Sequence, residues 1–563
     1  MKRFSFETSA ALGVALVLHL LAGCSPPHHQ TAELSDRTHD GRLSPVLKNL
    51  GNYHREISTA SAGAQKFFDQ GLILVYGFNH AEALRSFQEA ARLDPKCGMA
   101  YWGQALALAP NINDSAIGPD REQQAQQAIQ KALANKTGLL PVETGLVDAL
   151  AARFTPDAKP DRKKLNQAYA DAMKALYQSF PEDPDVATLY ADAVMNTMPW
   201  DYWTKDGKPK AGIPEAVAAL QVAIRVSPDH PGAHHIYIHA VEASPDPDRA
   251  VPSAEKLGGL VPGAGHLVHM PSHIFIRVGR YHEASETNVR AIAADEDYIT
   301  QCRAQGIYPA AYYPHNVHFL SVTLAMEGRS QDTLEAAKKV ATRHTHEHMQ
   351  EPGFGFPHLL RSIPYFAMIR FGKWDEILSQ PDPGQDSKFV RLIWHYARGC
   401  ARLARQGVKP ASEELAQLRA LAKDPSLAEL KIFDLNDLAK LAAIAENLLA
   451  GEIAAKSKRT DEAIALVKKA AEIEDNLLYS EPPDWPVPPR HILGAILLEA
   501  GRAAEAERVF REDLTRHRDN GWSLRGLAES LKAQGKTGEA AAVEERFRKA
   551  WARADVSISS SRI

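Results

Sequence analysis

Residues 64–95 read AQKFFDQGLILVYGFNHAEALRSFQEAARLDP, and the order of large and small side chains in this stretch decides the fold class. The first series is large-small-large and consists of Phe67, Gly71 and Leu74. The second series ends in proline and consists of Ala83, Phe87, Ala90 and Pro95. The stretch predicts two helices joined by a turn. Because the apolar faces of one such hairpin cannot be buried alone, neighbouring hairpins must stack.

The pattern recurs along the chain at a fixed period. Small residues that close the turn between two helices are 34 positions apart, and they are Ala216, Ala250 and Ala284, then Ala506 and Ala540. In its period and pattern residues the chain resembles the tetratricopeptide-repeat (TPR) family. This resemblance implies an all-α fold, a TPR-like α-solenoid whose helical hairpins stack into a superhelix.

The sequence divides into eight segments. They are a signal peptide (1–23), a polar tether (24–51), N-terminal repeats (52–112), an irregular helical segment (113–214), central His-rich repeats (215–380), helical repeats (381–480), a proline-rich segment (481–489) and C-terminal repeats (490–555). Five prolines in 481–489 exclude a helix there, so this segment either wraps a groove edge in extended form or is a linker. Between the repeats that turn at Gly279 and at Gly328, the extra length predicts a loop over 295–309.

The N-terminus carries a targeting pattern. Lys2 and Arg3 precede an apolar run that ends at Leu21-Ala22-Gly23-Cys24, and the run is shorter than the roughly 20 residues of a membrane span. This stretch resembles a bacterial lipoprotein signal, which implies cleavage before Cys24, acylation of its thiol and attachment to the outer membrane facing the periplasm. The alternative is a plain secretory signal in which Cys24 is incidental.

Composition narrows the function classes. Lys plus Arg number 65 and Asp plus Glu 69, so no basic surplus indicates nucleic-acid binding. Beyond Cys24 the cysteines are Cys97, Cys302 and Cys400, an odd number without a C-x-x-C pair. This count argues against a disulfide framework and against a cysteine zinc site.

Histidines are concentrated in three consecutive central repeats. Counted from Pro231, Gly265 and Pro314, positions 2, 5 and 9 hold seven histidines in nine places, namely His235, His239, His266, His269, His273, His315 and His318. Histidine is only 23 of 563 residues overall, so chance would place fewer than one there. In the TPR family these positions line the concave surface, and the resemblance implies the same here. The seven are called the histidine cluster below.

Neutral imidazole is the commonest metal ligand, so the cluster predicts a transition-metal site for zinc, copper or iron. Seven histidines are more than one tetrahedral metal site needs. Either two ions share the cluster, or some of the histidines lie behind the ligands and orient them. Glu242, three residues after His239, is predicted to complete a mixed His/carboxylate set. Pro271 kinks or restarts its helix, which places His273 in a helix beginning at that proline.

Other functions stay open at this stage. A histidine-rich groove also suits a pH-gated anion site or a purely structural role, and a solenoid groove commonly binds a peptide or protein as a scaffold. Arg277 and Arg370, beside the wall, are predicted to clamp a carboxylate or to pair with a buried acid. The sequence His235-Ile236-Tyr237-Ile238-His239 lacks the glutamate of a zincin helix, so whether the protein is an enzyme is undecided.

As a whole, the chain resembles large bacterial TPR lipoproteins, a resemblance that implies no particular activity. We expect a lipid-anchored envelope solenoid that binds a transition metal for metal handling or metal-dependent chemistry, with a non-catalytic scaffold as the alternative.

Overall fold

The computed structural model describes residue 38 and residues 41–157, 160–302, 308–341 and 353–563. Cys24 and the predicted signal peptide lie outside these residues, so lipidation stays a prediction. No helix in the described ranges is both long and apolar enough to cross a membrane.

Helices make up almost all of the regular structure, as the sequence predicts. The first half contains α1 (Ala62–Tyr76), α2 (His80–Leu93), α3 (Gly98–Leu108), α4 (Pro119–Ala134), α5 (Pro141–Ala151), α6 (Arg162–Ser179), α7 (Pro184–Met195), α8 (Ile213–Val226), α9 (Pro231–Val241), α10 (Val251–Leu260), α11 (Gly265–His269), α12 (Pro271–Arg277) and α13 (Tyr281–Cys302). The second half contains α14 (Tyr313–Met326), α15 (Ser330–Val340), α16 (Phe356–Arg370), α17 (Trp374–Ser379), α18 (Lys388–Arg405), α19 (Val408–Ala422), α20 (Ser426–Glu429), α21 (Leu438–Lys456), α22 (Thr460–Asp475), α23 (Pro489–Glu499), α24 (Ala503–Arg516), α25 (Gly521–Ala533) and α26 (Thr537–Ala550). A small antiparallel pair, β1 (Lys431–Ile432) and β2 (Asn436–Asp437), interrupts them.

Consecutive helices pack as hairpins, and each hairpin packs on the next. The pairs α1–α2, α3–α4, α7–α8, α14–α15 and α25–α26 are examples, with α2–α3, α8–α9 and α13–α14 joining neighbours. The all-α, TPR-like solenoid expected from the sequence is therefore confirmed.

Glycine and phenylalanine positions explain how the hairpins fit. A Cβ at Gly71 would lie 2.7 Å from the Phe87 ring, and one at Gly103, in the next hairpin, would lie 2.4 Å from it. Phe510 fills the same role between Gly494 and Gly526. A small residue on two successive first helices thus makes room for the aromatic ring of the second helix.

Turn glycines end the first helices of the central repeats. Gly279, Gly328 and Gly372 have φ of +80°, +75° and +61°, a left-handed conformation that glycine adopts without strain. These are the same turns at which the central repeats align with one another in the sequence.

The C-terminal repeats fold back onto the central ones. The Trp522 indole donates to the Ala325 carbonyl at 2.9 Å, and Arg518 pairs with Asp248 at 2.6 Å. Asp555 accepts the backbone N–H of Ser330 at 2.7 Å. The C-terminal repeats therefore contact α14, the start of α15 and the segment before α10.

Two local predictions need correction. Residues 295–302 continue helix α13 instead of forming a loop, because Asp295 is buried and accepts hydrogen bonds from Tyr308 and Asn316, both at 2.7 Å. The proline-rich segment is non-helical through Pro488, but Pro489 begins α23. Proline suits the first turn of a helix, where its missing N–H has no helical partner.

Candidate metal centre

Helices α9, α11, α12 and α14 carry the histidine cluster. The break between α11 and α12 falls at Met270, and Pro271 begins α12, so His273 lies in a helix that restarts at the proline. His266 and His269 lie in the short helix before it. Pro271 reorients the chain without removing any of the three side chains from the cluster.

Six of the seven histidines form two sets of three. His235, His239 and His266 are one set, and His269, His273 and His315 are the other; within each set one nitrogen per ring lies within 4.8 Å of the others. We call these the first and second histidine sets. They are adjacent, since the rings of His266 and His269 have centroids 5.9 Å apart.

The Nε2 atoms of each set point at one another. His235 Nε2 lies 3.1 Å from His266 Nε2 in the first set. In the second set, His269 Nε2 lies 2.9 Å from His273 Nε2 and 3.1 Å from His315 Nε2. Two nitrogens bound tetrahedrally to one ion at 2.0–2.1 Å would be about 3.4 Å apart, so small movements would bring these atoms to ligand spacing.

The opposite ring atoms are held by acceptors. His235 Nδ1 donates to the Tyr76 carbonyl, and His269 Nδ1 donates to Asn288 Oδ1, both at 2.6 Å. An Nδ1–H that donates outward leaves the Nε2 lone pair free, which is the tautomer that metal-binding histidines use. Such lone pairs repel one another at about 3 Å unless a proton or a cation lies between them.

Glu242 connects the two sets. It accepts from His239 Nδ1 at 2.7 Å and from His273 Nδ1 at 2.6 Å, with one oxygen for each ring. Burial alone would raise the pKa of Glu242, but His273 and His239 hold it well below the usual value. Glu242 was predicted as a metal ligand; in the structure each of its oxygens accepts a histidine N–H, so it holds one histidine of each set in place.

The cluster is buried, which corrects the expectation of an open concave wall. His235, His239, His266, His269 and His273 are 0–2% exposed, and His315 is half-buried. Aromatic rings cover the cluster: Phe78 lies 4.6 Å from His235, and Trp200 lies 5.1 Å from His239, between ring centroids. These two rings, from the turn after α1 and the loop after α7, cover the surface that the sequence predicted to be an open groove.

Burial favours the neutral form of four imidazoles of the cluster. It lowers the pKa of His235, His266, His269 and His315 well below the usual histidine value, and neighbouring imidazoles lower it further. His239 Nε2 and His266 Nδ1 are buried without a hydrogen-bond partner. Neutral rings with unpartnered nitrogens fit a metal ion's requirements.

His318 belongs to neither set. Both of its ring nitrogens are buried without a partner, and burial lowers its pKa to about 3. Its position in the repeat pattern matched the others, but the structure does not bring it to the other nitrogens.

The two arginines lie in different surroundings. Arg277 borders a cavity and stacks on the Tyr479 ring at 5.3 Å. Arg370, predicted as a groove residue, is instead 5% exposed, stacks on Trp522 at 3.8 Å and donates to His491 Nδ1 at 2.9 Å. Burial lowers the pKa of Arg370 to about 9, and its contacts are those of a core residue.

Sequence reasoning missed the partners of the histidines. Asn288 in α13 and the Tyr76 carbonyl in α1 have no motif that marks them, because each acts through a contact between helices: Asn288 on the second helix of the same repeat as His269, and Tyr76 in a repeat far from His235 in the sequence. Tyr479, whose hydroxyl donates to Glu242 at 3.3 Å, precedes the proline-rich segment and was also missed.

The sequence matches no protein-family model and no curated protein. Among solved structures, the human IFIT1 dimer with m7Gppp-AAAA is 14% identical, with 88% of this chain and 91% of that chain covered and a TM-score of 0.31. Yeast Tom70 is 11% identical over 87% and 91% of the two chains, with a TM-score of 0.30. Cut9, in the APC/C hetero-tetramer Cut9-Hcn1, is 13% identical over 86% and 76%, with a TM-score of 0.32. These low values assign no function to the chain.

Proposed function

We propose that this solenoid binds transition-metal ions through its two histidine sets, for metal handling or for metal-dependent chemistry. The observation that carries the proposal is the convergence of Nε2 atoms at 2.9–3.1 Å, with the opposite Nδ1 atoms of His235, His239, His269 and His273 held by acceptors. His269 and His273 both donate their Nδ1–H groups outward, so their Nε2 atoms face each other at 2.9 Å without a proton between them, which a purely structural role would not need.

The donor atoms favour zinc or copper over iron. Each set offers three imidazole nitrogens, the donor type that zinc and copper share. The carboxylate of a two-histidine, one-carboxylate iron site has no counterpart, since Glu242 is occupied by His239 and His273. Three protein ligands also leave a coordination position open, as in sites that bind water or an exchangeable ligand.

Metal analysis tests the proposal. The mature protein, produced without residues 1–23, is stripped with a chelator and titrated separately with zinc, copper and iron while stoichiometry and affinity are measured. We expect about two ions per chain, because each set can hold one. His235→Ala removes a ligand from the first set and His269→Ala one from the second, so each should abolish about one equivalent.

A matched control separates this effect from general damage. His54 and His282 lie outside both sets, so the double variant His54→Ala plus His282→Ala should bind as the unchanged protein does. Circular dichroism checks that each variant is folded. A folded protein indifferent to all three metals would end the proposal, as would equal losses in the control.

We also propose that the mature chain is tethered to the cell envelope by acylated Cys24. A lipid chain anchors a protein without spanning the membrane. Cys24→Ser should move the protein from the membrane fraction to the soluble periplasmic fraction. A variant that stays with the outer membrane would refute the anchor.

A peptide groove at the histidine cluster is not favoured. Its rings are covered by Phe78 and Trp200, so a peptide would first have to displace the chain's own packing. The scaffold function therefore remains an alternative for other faces of the solenoid.

A further inference from the structure

A second site lies beside the metal centre. A cavity of about 400 Å³ is bounded by the aromatic loop after α7, by α12 and by the segment before α23. Its lining includes Trp200, Arg277, Tyr281, Tyr479 and Glu481, and none of the seven cluster histidines. The volume falls in the range of about 300–1,000 Å³ typical of small-molecule sites.

Two opposite charges in this cavity are left without a partner atom. Arg277 Nε and Glu481 Oε2 are buried and make no hydrogen bond. Among the described residues Arg277 forms no ion pair; its Nη2 donates to the Ser244 carbonyl over a long distance of 3.4 Å, and its guanidinium lies over the Tyr479 ring. Burial raises the pKa of Glu481 to about 7, although Arg277 acts to lower it, so the two groups influence each other without touching.

The other acids of the cavity lie close to other partners. Glu474 Oε2 makes no hydrogen bond but lies 3.5 Å from Arg490 Nη1. Asp475 pairs with Arg490 and with Arg516, both at 2.7 Å. Asp484 accepts from Asn436 at 2.8 Å. Arg277 and Glu481 are thus the oppositely charged groups of the cavity that have a buried unpartnered atom and no ion pair among the described residues, and the Arg277 guanidinium lies over the Tyr479 ring.

We propose that this cavity binds a free α-amino acid as its zwitterion. The ligand carboxylate would meet Arg277, the ammonium group would meet Glu481, and an aromatic side chain would pack against Trp200, Tyr281 and Tyr479. Charge-assisted hydrogen bonds to a buried guanidinium or carboxylate are the strong ones, and rings beside an ammonium group add cation–π attraction. A simple anion or a simple cation would satisfy only one of the two groups.

The cavity shares a wall with the metal centre. Tyr479 donates to Glu242 at 3.3 Å, and the Trp200 ring lies 5.1 Å from that of His239. The amino-acid site nevertheless uses none of the histidines, so it can be tested on metal-free protein. Its failure would leave the metal proposal intact, and the reverse also holds.

The experiment compares three ligands by calorimetry on the metal-free mature protein. They are phenylalanine, 3-phenylpropionate, which lacks the ammonium group, and phenethylamine, which lacks the carboxylate. We expect phenylalanine to bind at least about tenfold more tightly than either half-ligand, because each charge adds a charge-assisted contact. This comparison needs no variant and so cannot be lost to misfolding.

Variants then assign each contact. Arg277→Gln should weaken phenylalanine to the level of phenethylamine, and Glu481→Gln should weaken it to the level of 3-phenylpropionate. Arg280→Gln is the matched control, since Arg280 pairs outside the cavity with Glu255 and Glu283. Absence of binding, equal binding of phenylalanine and 3-phenylpropionate, or an equal loss in the control would each overturn the proposal.

Discussion

Replacing Glu242 by glutamine should disable one histidine set and spare the other. Glu242 now accepts two Nδ1–H groups, from His239 in the first set and from His273 in the second. Glutamine has the same shape but only one acceptor oxygen, and its amide nitrogen is a donor. One of the two histidines would then face a donor and would have to move its proton to Nε2, which removes that nitrogen as a ligand.

The expected size follows from what such partners contribute. Loss of an outer hydrogen-bond partner of a metal-binding histidine typically weakens affinity by 10–100-fold, or about 1.4–2.7 kcal/mol. Competition titration of the stripped protein with a chelator of known affinity should therefore resolve two unequal sites in Glu242→Gln where the parent shows two similar ones.

Glu414 provides the control for this prediction. It is buried and accepts from His395 Nδ1 at 2.6 Å, the same kind of contact far from the cluster. Glu414→Gln should leave metal affinity unchanged. The reasoning would be refuted if Glu242→Gln bound both ions as before, or if Glu414→Gln showed the same loss.

Three further outcomes are expected. Gly494→Ala should lower the free energy of unfolding by about 1–3 kcal/mol in urea denaturation, because its Cβ would lie 2.2 Å from Phe510, whereas Gly538→Ala, with open space around it, should be nearly neutral. His517→Gln should destabilise the protein more at about pH 5.5 than at about pH 9. Burial lowers the pKa of His517, but the Asp513 carboxylate raises it above the usual value. The stability that this pair contributes is therefore complete below the pKa of the unfolded state and is lost as the pH rises through the pKa of the folded state. Equal losses at both pH values would contradict it. Zinc or copper at 100 times its dissociation constant should stabilise the stripped protein by about 2.7 kcal/mol per site in thermal melts, and a melting temperature unmoved by either metal would contradict it.

Most of the fold could be predicted from the repeat pattern, because the contacts that define a helical hairpin are between residues close in sequence. Gly71 and Phe87 meet through their spacing alone, and Gly279 ends a helix through its own backbone conformation. Asp295 shows where this reasoning ends. Its burial, and with it the continuation of α13, depends on Tyr308 and Asn316 from beyond the helix.

The sequence predicted most of the residues that lie at the site, but not what each of them does there. Helical spacing placed six histidines together, yet the same spacing also included His318, which the structure leaves apart. Glu242 was predicted from its position three residues after His239 in the sequence, but its second hydrogen bond is to His273, which lies in another repeat. Whether a residue binds an ion or orients a neighbour is decided by contacts between repeats, which a single repeat's sequence does not contain.

The return of the last repeats onto the central ones has a consequence for how the protein is made. In an open solenoid each repeat depends only on its neighbours, so an N-terminal portion can fold while the rest is still being synthesised. Here the Tyr479 hydroxyl donates to Glu242, so this partner of the cluster arrives 237 positions after the residue that it contacts. The hydrogen bonds around Glu242 would then be complete only after this segment has been made, and a chain that ends before Tyr479 should keep the covering rings of Phe78 and Trp200 but lack this contact.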